Sequence, residues 1–350
     1  MKKILVGTLT ALSIMTSHVE DASARTNPFF ETSTAPHAAI AFDKIQIGDY
    51  EEAIIEGIKR HNQEVDAIVN NPEAPTFKNT IVAFERSGSL LYDASLVLGN
   101  LEHSCGDPEL MELVSKTTPM ITEHMTNINL NEGLWKRVKA VYDQKDSLTD
   151  LDGEDLRLLE EMYLDFVNSG AMLEGKQRER YRQLTAEMSD LSVRFSQNLT
   201  NDMKNPSRRL WLNATEVQGM PQTAIDAARE EAKATLEAEG KADDGSYLFT
   251  VFAPSYSPFM KYMPNRELRR KMYMLYNTRN VGGAFDNTQI LKDMANIRLE
   301  LANMFGKANY AEYALERRMS KNPQNVYNML DQMREAYYPA MQAELAEIEA

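Results

Sequence analysis

Apolar residues that return every three or four positions, in segment after segment from residue 48 onward, restrict this chain to a mostly α-helical fold. Tyr50, Ile54, Ile58, His61, Val65 and Ile68 share one face of a first helix. Asp49 and Glu52 stand at its start, where carboxylates satisfy free N–H groups. After the proline-punctuated loop NNPEAPTF, the positions of Ile81, Phe84, Leu91, Leu98 and Leu101 predict a long second helix beginning near Asn79 as its N-cap. Asp107 and Pro108 open a third, in which Pro119 removes a backbone hydrogen bond and predicts a kink. Shorter helices are expected over 131–145 and 153–168. Tyr181, Leu184, Met188, Leu191, Phe195, Leu199 and Met203 describe a long helix ended by Asn205 and Pro206.

Between 207 and 252 the period changes. RRLWLN and YLFTVF are short and rich in aromatic and β-branched residues, and they bracket the helical PQTAIDAAREEAKATLEAEG, so a pair of strands is expected. Helices resume over 265–279, 286–305, 309–319 and from 323 onward, with Gly306 as the left-handed residue ending one of them. Leu345 and Ile348 carry an apolar stripe to the last residues with no C-cap glycine, basic last turn or polar tail, which reads as an interrupted helix. The stretch ANMFGKANYAEYALERRMSKNP, 302–323, looks like two helices and a tight turn built to support a site. No solenoid-like internal repeat is found.

With 350 residues, 43% of them hydrophobic and 26% charged, the chain can bury a large core in one large or two ordinary domains. A net charge of −14 repels phosphate backbones and argues against a nucleic-acid partner. Lys2 and Lys3, an apolar run from Ile4 to Met15, and Ala22-Ser23-Ala24 read as a secretory signal over residues 1–24, cleaved after Ala24. The run is shorter than the roughly 20 residues a membrane span needs. An exported, periplasmic or secreted product is expected. Its one cysteine, Cys105, excludes an internal disulfide.

No chemistry-bearing motif is visible. His18, His37, His61, His103 and His124 are scattered, and no two stand four apart to place two imidazoles on one helix face. No catalytic or metal-ligating residue is assigned. His103-Ser104-Cys105 reads as a helix end. His61 with Glu64 reads as a surface pair, and His124 with Glu123, near Pro119, as structural. Arg266, Arg269, Arg270 and Lys271 form the densest basic group, either a solvated or salt-bridged helix face or a binder of a peptide's terminal carboxylate. Tyr256, Tyr262, Tyr273, Tyr276, Tyr310 and Tyr313 fit core positions better than a channel lining. The 20 methionines read as core fillers. REEAKATLEAEGKADD reads as a solvated helix and loop. Asn198 and Asn213 head glycosylation-type triplets that are frequent by chance.

Several stretches together resemble the zinc metallopeptidases of the thimet oligopeptidase and oligopeptidase A family, most closely their bacterial peptidyl-dipeptidase branch. They are FDKIQIGDYEEAI (42–54), NNPEAPTFKNTIVAFERSG (70–88), LSVRFSQNLTNDM (191–203), NRELRRKMYMLYNTR (265–279) and the region 286–330. The resemblance runs from about Asn27 to the end. It implies a helical, two-lobed enzyme enclosing a channel for short peptides, a monomer at full length. It also implies zinc held by an H-E-x-x-H helix and a downstream glutamate, none of which this sequence contains. The expected division is a helical domain over 25–206 and a mixed, then helical, segment over 207–350 leading toward the missing catalytic lobe. The chain by itself is then expected to be inactive. The competing readings are a non-catalytic helical peptide-binding or scaffold module, either standing alone or pairing with a separate catalytic half.

Overall fold

The computed structural model describes residues 25–34 and 36–350. The signal segment over 1–24 lies outside the described residues. The fold is mostly α, with one small two-stranded sheet, and no helix among the described residues is long and apolar enough to cross a membrane.

Helix α1, Ile47–Val69, buries one stripe of Tyr50, Ala53, Ile54, Gly57, His61, Val65 and Ile68. Its start differs in detail from expectation. Of the two carboxylates only Asp49 caps, accepting the Gln46 N–H at 2.6 Å in a reciprocal box with Gln46, and Arg25 grips the same carboxylate at 2.7 and 2.6 Å. Glu52 instead accepts the Asn27 side-chain amide at 3.0 Å.

The expected second helix is broken. Thr76 is the true N-cap, with Asn79 as its reciprocal partner three residues on (3.1 and 2.8 Å). A π-helical turn, Phe77–Val82, runs into α2, Ala83–Glu85, and the chain turns at Gly88 (φ +72°) before α3, Ser89–Cys105. The apolar spacing continues across the break, which is why periodicity alone does not register it. What forces the break is close packing. A Cβ on Gly88 would lie 2.8 Å from His61 Nδ1, and one on Gly57 would lie 2.8 Å from the Leu91 Cα, so both glycines let α1 approach its neighbours.

Helix α3 ends at the left-handed Gly106. Asp107 then caps α4, Pro108–Asn129, which carries Pro119 in its interior. Next come α5, Glu132–Tyr142, and α6, Gly153–Asn168. Two apolar clusters consolidate this region. Tyr50, Ile54, Leu91, Val97, Leu98 and Leu110 join α1, α3 and α4. Val65, Ile81, Leu134, Val138, Leu159 and Phe166 join the far half of α1 to α5 and α6. Burying a side chain of this size is worth about 1.5–3 kcal/mol.

Helix α7, Gly175–Lys204, stops at Asn205 before Pro206 and packs on α4. The expected strands are present: β1, Leu210–Leu212, pairs antiparallel with β2, Tyr247–Phe249, with Trp211 opposite Leu248. Between them runs α8, Gln222–Ala238, and after them α9, Ala253–Tyr262, and α10, Arg266–Asn277. Leu212, Phe249, Val251, Phe259, Leu268 and Met272 form the third cluster. Then come α11, Thr288–Met304, α12, Tyr310–Leu315, and α13, Pro323–Glu349. Gly306 does end α11: its N–H reaches Asn303 O at 3.1 Å and Lys307 N reaches Ala302 O at 3.0 Å, the paired bonds of a left-handed helix stop.

Candidate functional site

Three polar clusters lie between the helices, and each joins segments far apart in the chain. The first sits where α1, α4 and the Ser87–Gly88 turn meet. His61 and His124, both about 95% buried, face each other with His61 Nδ1 and His124 Nε2 3.0 Å apart. His61 Nε2 lies 3.1 Å from Ser87 Oγ, which donates to Phe84 O at 2.6 Å. Since the Ser87 proton is committed to Phe84, its oxygen accepts from His61 Nε2–H, and His61 Nδ1 accepts from His124 Nε2–H. His61 is then the neutral Nε2–H tautomer.

Burial is the first cause that holds the two imidazoles neutral. It pushes His61 down, although Glu64 nearby pulls the other way, and it takes His124, which also faces His61, to about 4. The expected surface pair is therefore corrected: His61 is buried, and Glu64 accepts the Gly88 N–H at 2.7 Å. Alternation of charge and apolar residues marks His61 as a stripe position, but nothing in the sequence pairs it with a residue 63 positions away.

This cluster does not fit a catalytic zinc. Each converging nitrogen is already spent on its neighbour, the second His61 nitrogen is held by Ser87, and Glu64, the carboxylate whose charge acts on His61, is occupied by a backbone N–H. No group of three His, Cys, Asp or Glu side chains among the described residues is arranged to hold a metal ion.

The second cluster pins the turn 278–287 to the end of α7. Arg208 contacts Asp202 at 2.9 Å in a buried ion pair and donates to Thr278 Oγ1 at 3.0 Å and Thr278 O at 2.9 Å. Asp202 also accepts the Asn280 N–H at 2.8 Å. The Asn280 side chain donates to Asn198 O and Phe285 O, each at 2.9 Å, and Asn198 donates to Asn287 at 2.9 Å. Asn280 takes φ +55°, a conformation asparagine tolerates better than most residues. None of these roles was assigned from sequence. Asn198, one of the two glycosylation-type asparagines, is engaged here, and Asn213 accepts the Thr215 N–H at 2.9 Å.

The third cluster answers what 302–323 supports. Tyr313 donates to Asn168 O at 2.7 Å, its ring stacks 5.1 Å from Phe305, and burial raises its hydroxyl pKa. Arg317 reaches Asp165 and Glu161. The stretch thus clamps α11 and α12 onto α6. Tyr256 and Tyr276 are likewise packed, stacked at 3.9 Å, whereas Tyr262 and Tyr273 are exposed. Of the methionines, Met263 and Met272 fill core while Met319 is fully exposed. His103 pairs with Glu102 at 2.8 Å at the end of α3, beside the exposed Cys105, as a helix end should. In the basic group, Arg269 is tied to Met263 O and Pro264 O, while Arg266, Arg270 and Lys271 are exposed.

The sequence model of peptidase family M3 matches residues 259–350. The chain is 31% identical to a dipeptidyl carboxypeptidase of Escherichia coli K12 over 326 residues, 93% of this chain and 46% of that protein. It is 28% identical to oligopeptidase A of the same organism over 330 residues, 93% of this chain and 47% of that protein. A thimet-like oligopeptidase of Dictyostelium discoideum is 21% identical over 296 residues, 84% of this chain and 42% of that protein. The chain spans about half the length of the curated relatives it matches.

Proposed function

We propose, since the chain belongs to peptidase family M3, that it forms the substrate-enclosing half of an exported zinc peptidase acting on short peptides, of the peptidyl-dipeptidase or oligopeptidase type. One observation carries this reading. The two bacterial relatives, named for a dipeptidyl carboxypeptidase and an oligopeptidase, are matched across 93% of this chain but under half of their own lengths. Zinc, where bound in such an enzyme, lowers the pKa of its water to about 7 and polarises the scissile carbonyl. The buried histidine pair does not fit that metal, so the ligands are assigned to residues outside 25–350.

In this reading the described half selects substrates by shape. Helices suit that task because their backbone polar groups are satisfied internally, so a helical wall excludes bulky polypeptides without needing a partner. At a rise of about 1.5 Å per residue, α7 alone spans roughly 45 Å. The turn 278–287 and the clamp at 302–323 fix α10, α11 and α12 against α6 and α7, giving the wall a defined shape. Export rests on the basic, apolar and small-x-small order of residues 1–24.

The test is an immunoblot of the source organism with an antibody against 176–203, followed by peptide hydrolysis by the captured species. A protein well above 39.7 kDa whose cleavage of short peptides stops on chelation is the expected result, together with no cleavage by purified 25–350. A species of only 25–350 that cleaves peptides in a chelator-sensitive way would overturn the proposal.

A further inference from the structure

We propose that the exposed face of α10, with the end of α9 and the turn at Arg279, is a docking surface for acidic peptide segments held through their carboxylates. This goes beyond the hydrolytic reading and does not depend on it. The chain has 52 acidic and 38 basic residues, yet residues 245–285 contain six cations, Lys261, Arg266, Arg269, Arg270, Lys271 and Arg279, against the single carboxylate of Glu267. None of the six makes an ion pair among the described residues. Elsewhere Arg180, Arg208, Arg229 and Arg317 each face a carboxylate. So strong a local excess of one sign in a chain of the opposite sign creates a local positive field, although Asp243, Asp244 and Asp286 flank the segment.

Stability does not account for the arrangement. Arg266 occupies the first position of α10 and Arg269, Arg270 and Lys271 follow within two turns, the end of a helix where positive charge is disfavoured. Arg269 has a structural task, since it holds the carbonyls of Met263 and Pro264. Arg266, Arg270 and Lys271 are exposed and have none. Arg266 and Arg270 lie one turn apart on the same face, with Lys271 beside Arg270 and Tyr273 a further turn along.

Two of the cations are held over aromatic rings. The Arg279 guanidinium sits 3.7 Å over the Tyr276 ring, which stacks at 3.9 Å on Tyr256, and its Nε donates to Tyr276 O at 2.7 Å. Its Nη1 and Nη2 groups have no acceptor among the described residues, so a fixed planar fork is left open. Such a fork loses little freedom when it takes a carboxylate in two parallel hydrogen bonds. Lys261 lies 5.0 Å over Tyr262, and Tyr262, Tyr273 and Met274 expose apolar surface among the charges. A polypeptide carrying a few carboxylates between apolar side chains matches both features. A phosphodiester polymer would meet the same cations, but with one charge per nucleotide it is repelled at long range by the net charge of −14 more strongly than a peptide carrying only a few carboxylates.

The test is fluorescence anisotropy with the purified chain, using a labelled peptide of alternating glutamate and tyrosine, the same peptide with glutamine for glutamate, and a labelled thymidine oligonucleotide. The acidic peptide is expected to bind at low ionic strength, on the order of tenfold tighter than the glutamine version, and to weaken as salt is added. The combined exposed substitutions Arg266→Glu, Arg270→Glu and Lys271→Glu are expected to lose that tenfold. Lys136→Glu, an exposed lysine on α5, is expected to leave binding unchanged. Circular dichroism checks that each variant is folded. Equal binding of the two peptides, binding undiminished in the triple variant, or tighter binding of the oligonucleotide would each overturn the proposal.

Discussion

A single methyl group tests the junction between α1 and the Ser87–Gly88 turn. At Gly88 it would meet both an unfavourable φ of +72° and the His61 ring at 2.8 Å, whereas at Gly306 the φ of +71° is matched by open space. Gly306→Ala is therefore expected to cost about 1 kcal/mol and Gly88→Ala about 2–4 kcal/mol, compared by urea unfolding. Equal costs would show that the His61 ring moves aside freely. The same junction predicts a pH effect. The folded-state pKa values of His61 and His124 lie below the unfolded value of about 6.5. Their contribution is thus fully present above pH 6.5 and is lost as pH falls through the folded values, about 4 for His124, because only the unfolded chain takes up the protons. A loss of about 2–3 kcal/mol between pH 7 and pH 4 is expected from His124 alone, read as a falling unfolding midpoint that is flatter in His124→Gln. The residues of this junction were individually legible as stripe positions, but their meeting was not, because a hydrogen bond between α1 and α4 leaves no periodic trace in either.

At the scale of elements, short helices and turns depend on contacts with distant parts of the chain. Helix α12 has six residues, too few to be stable by its own hydrogen bonds. It is held by Tyr313 and Arg317, so Tyr313→Phe is expected to cost about 1 kcal/mol and to raise amide exchange across 310–315 well above that of α11. Uniform exchange in both would deny the clamp. The 278–287 turn hangs on Asp202. Asp202→Ala leaves the Arg208 guanidinium buried without its anion and should cost about 3–5 kcal/mol by thermal or urea unfolding, and Asp202→Asn less. Most helices of this region were readable, down to the stop at Asn205 and the left-handed Gly306, but α9 was not, because its Pro254 and Pro258 interrupt the apolar period. The broken second helix was not, because the decisive quantity is the distance from Gly88 to a ring on another helix.

Across the whole molecule, α13 stands apart. None of its 27 residues is buried, and Tyr327, Leu330, Tyr337, Tyr338, Met341, Leu345 and Ile348 are exposed along it. Removing 323–350 is therefore expected to change the unfolding free energy of the remainder by less than about 0.5 kcal/mol, while reducing self-association measured by light scattering. A large drop in stability would mean that α13 packs in solution. The amino-acid sequence by itself determined the mostly helical fold, the strand pair, most of the helix ends and the likeness to the M3 peptidases. These follow from local periodicity, capping chemistry and the order of short motifs, all of which are written in neighbouring residues. Only the tertiary structure decided that His61 is buried against His124, that Asp202 and Arg208 anchor a turn some 75 residues downstream, and that the six cations of 245–285 make no ion pair among the described residues. Those facts depend on which distant side chains come within a few ångströms, and burial and pairing acquire their energies only at that range.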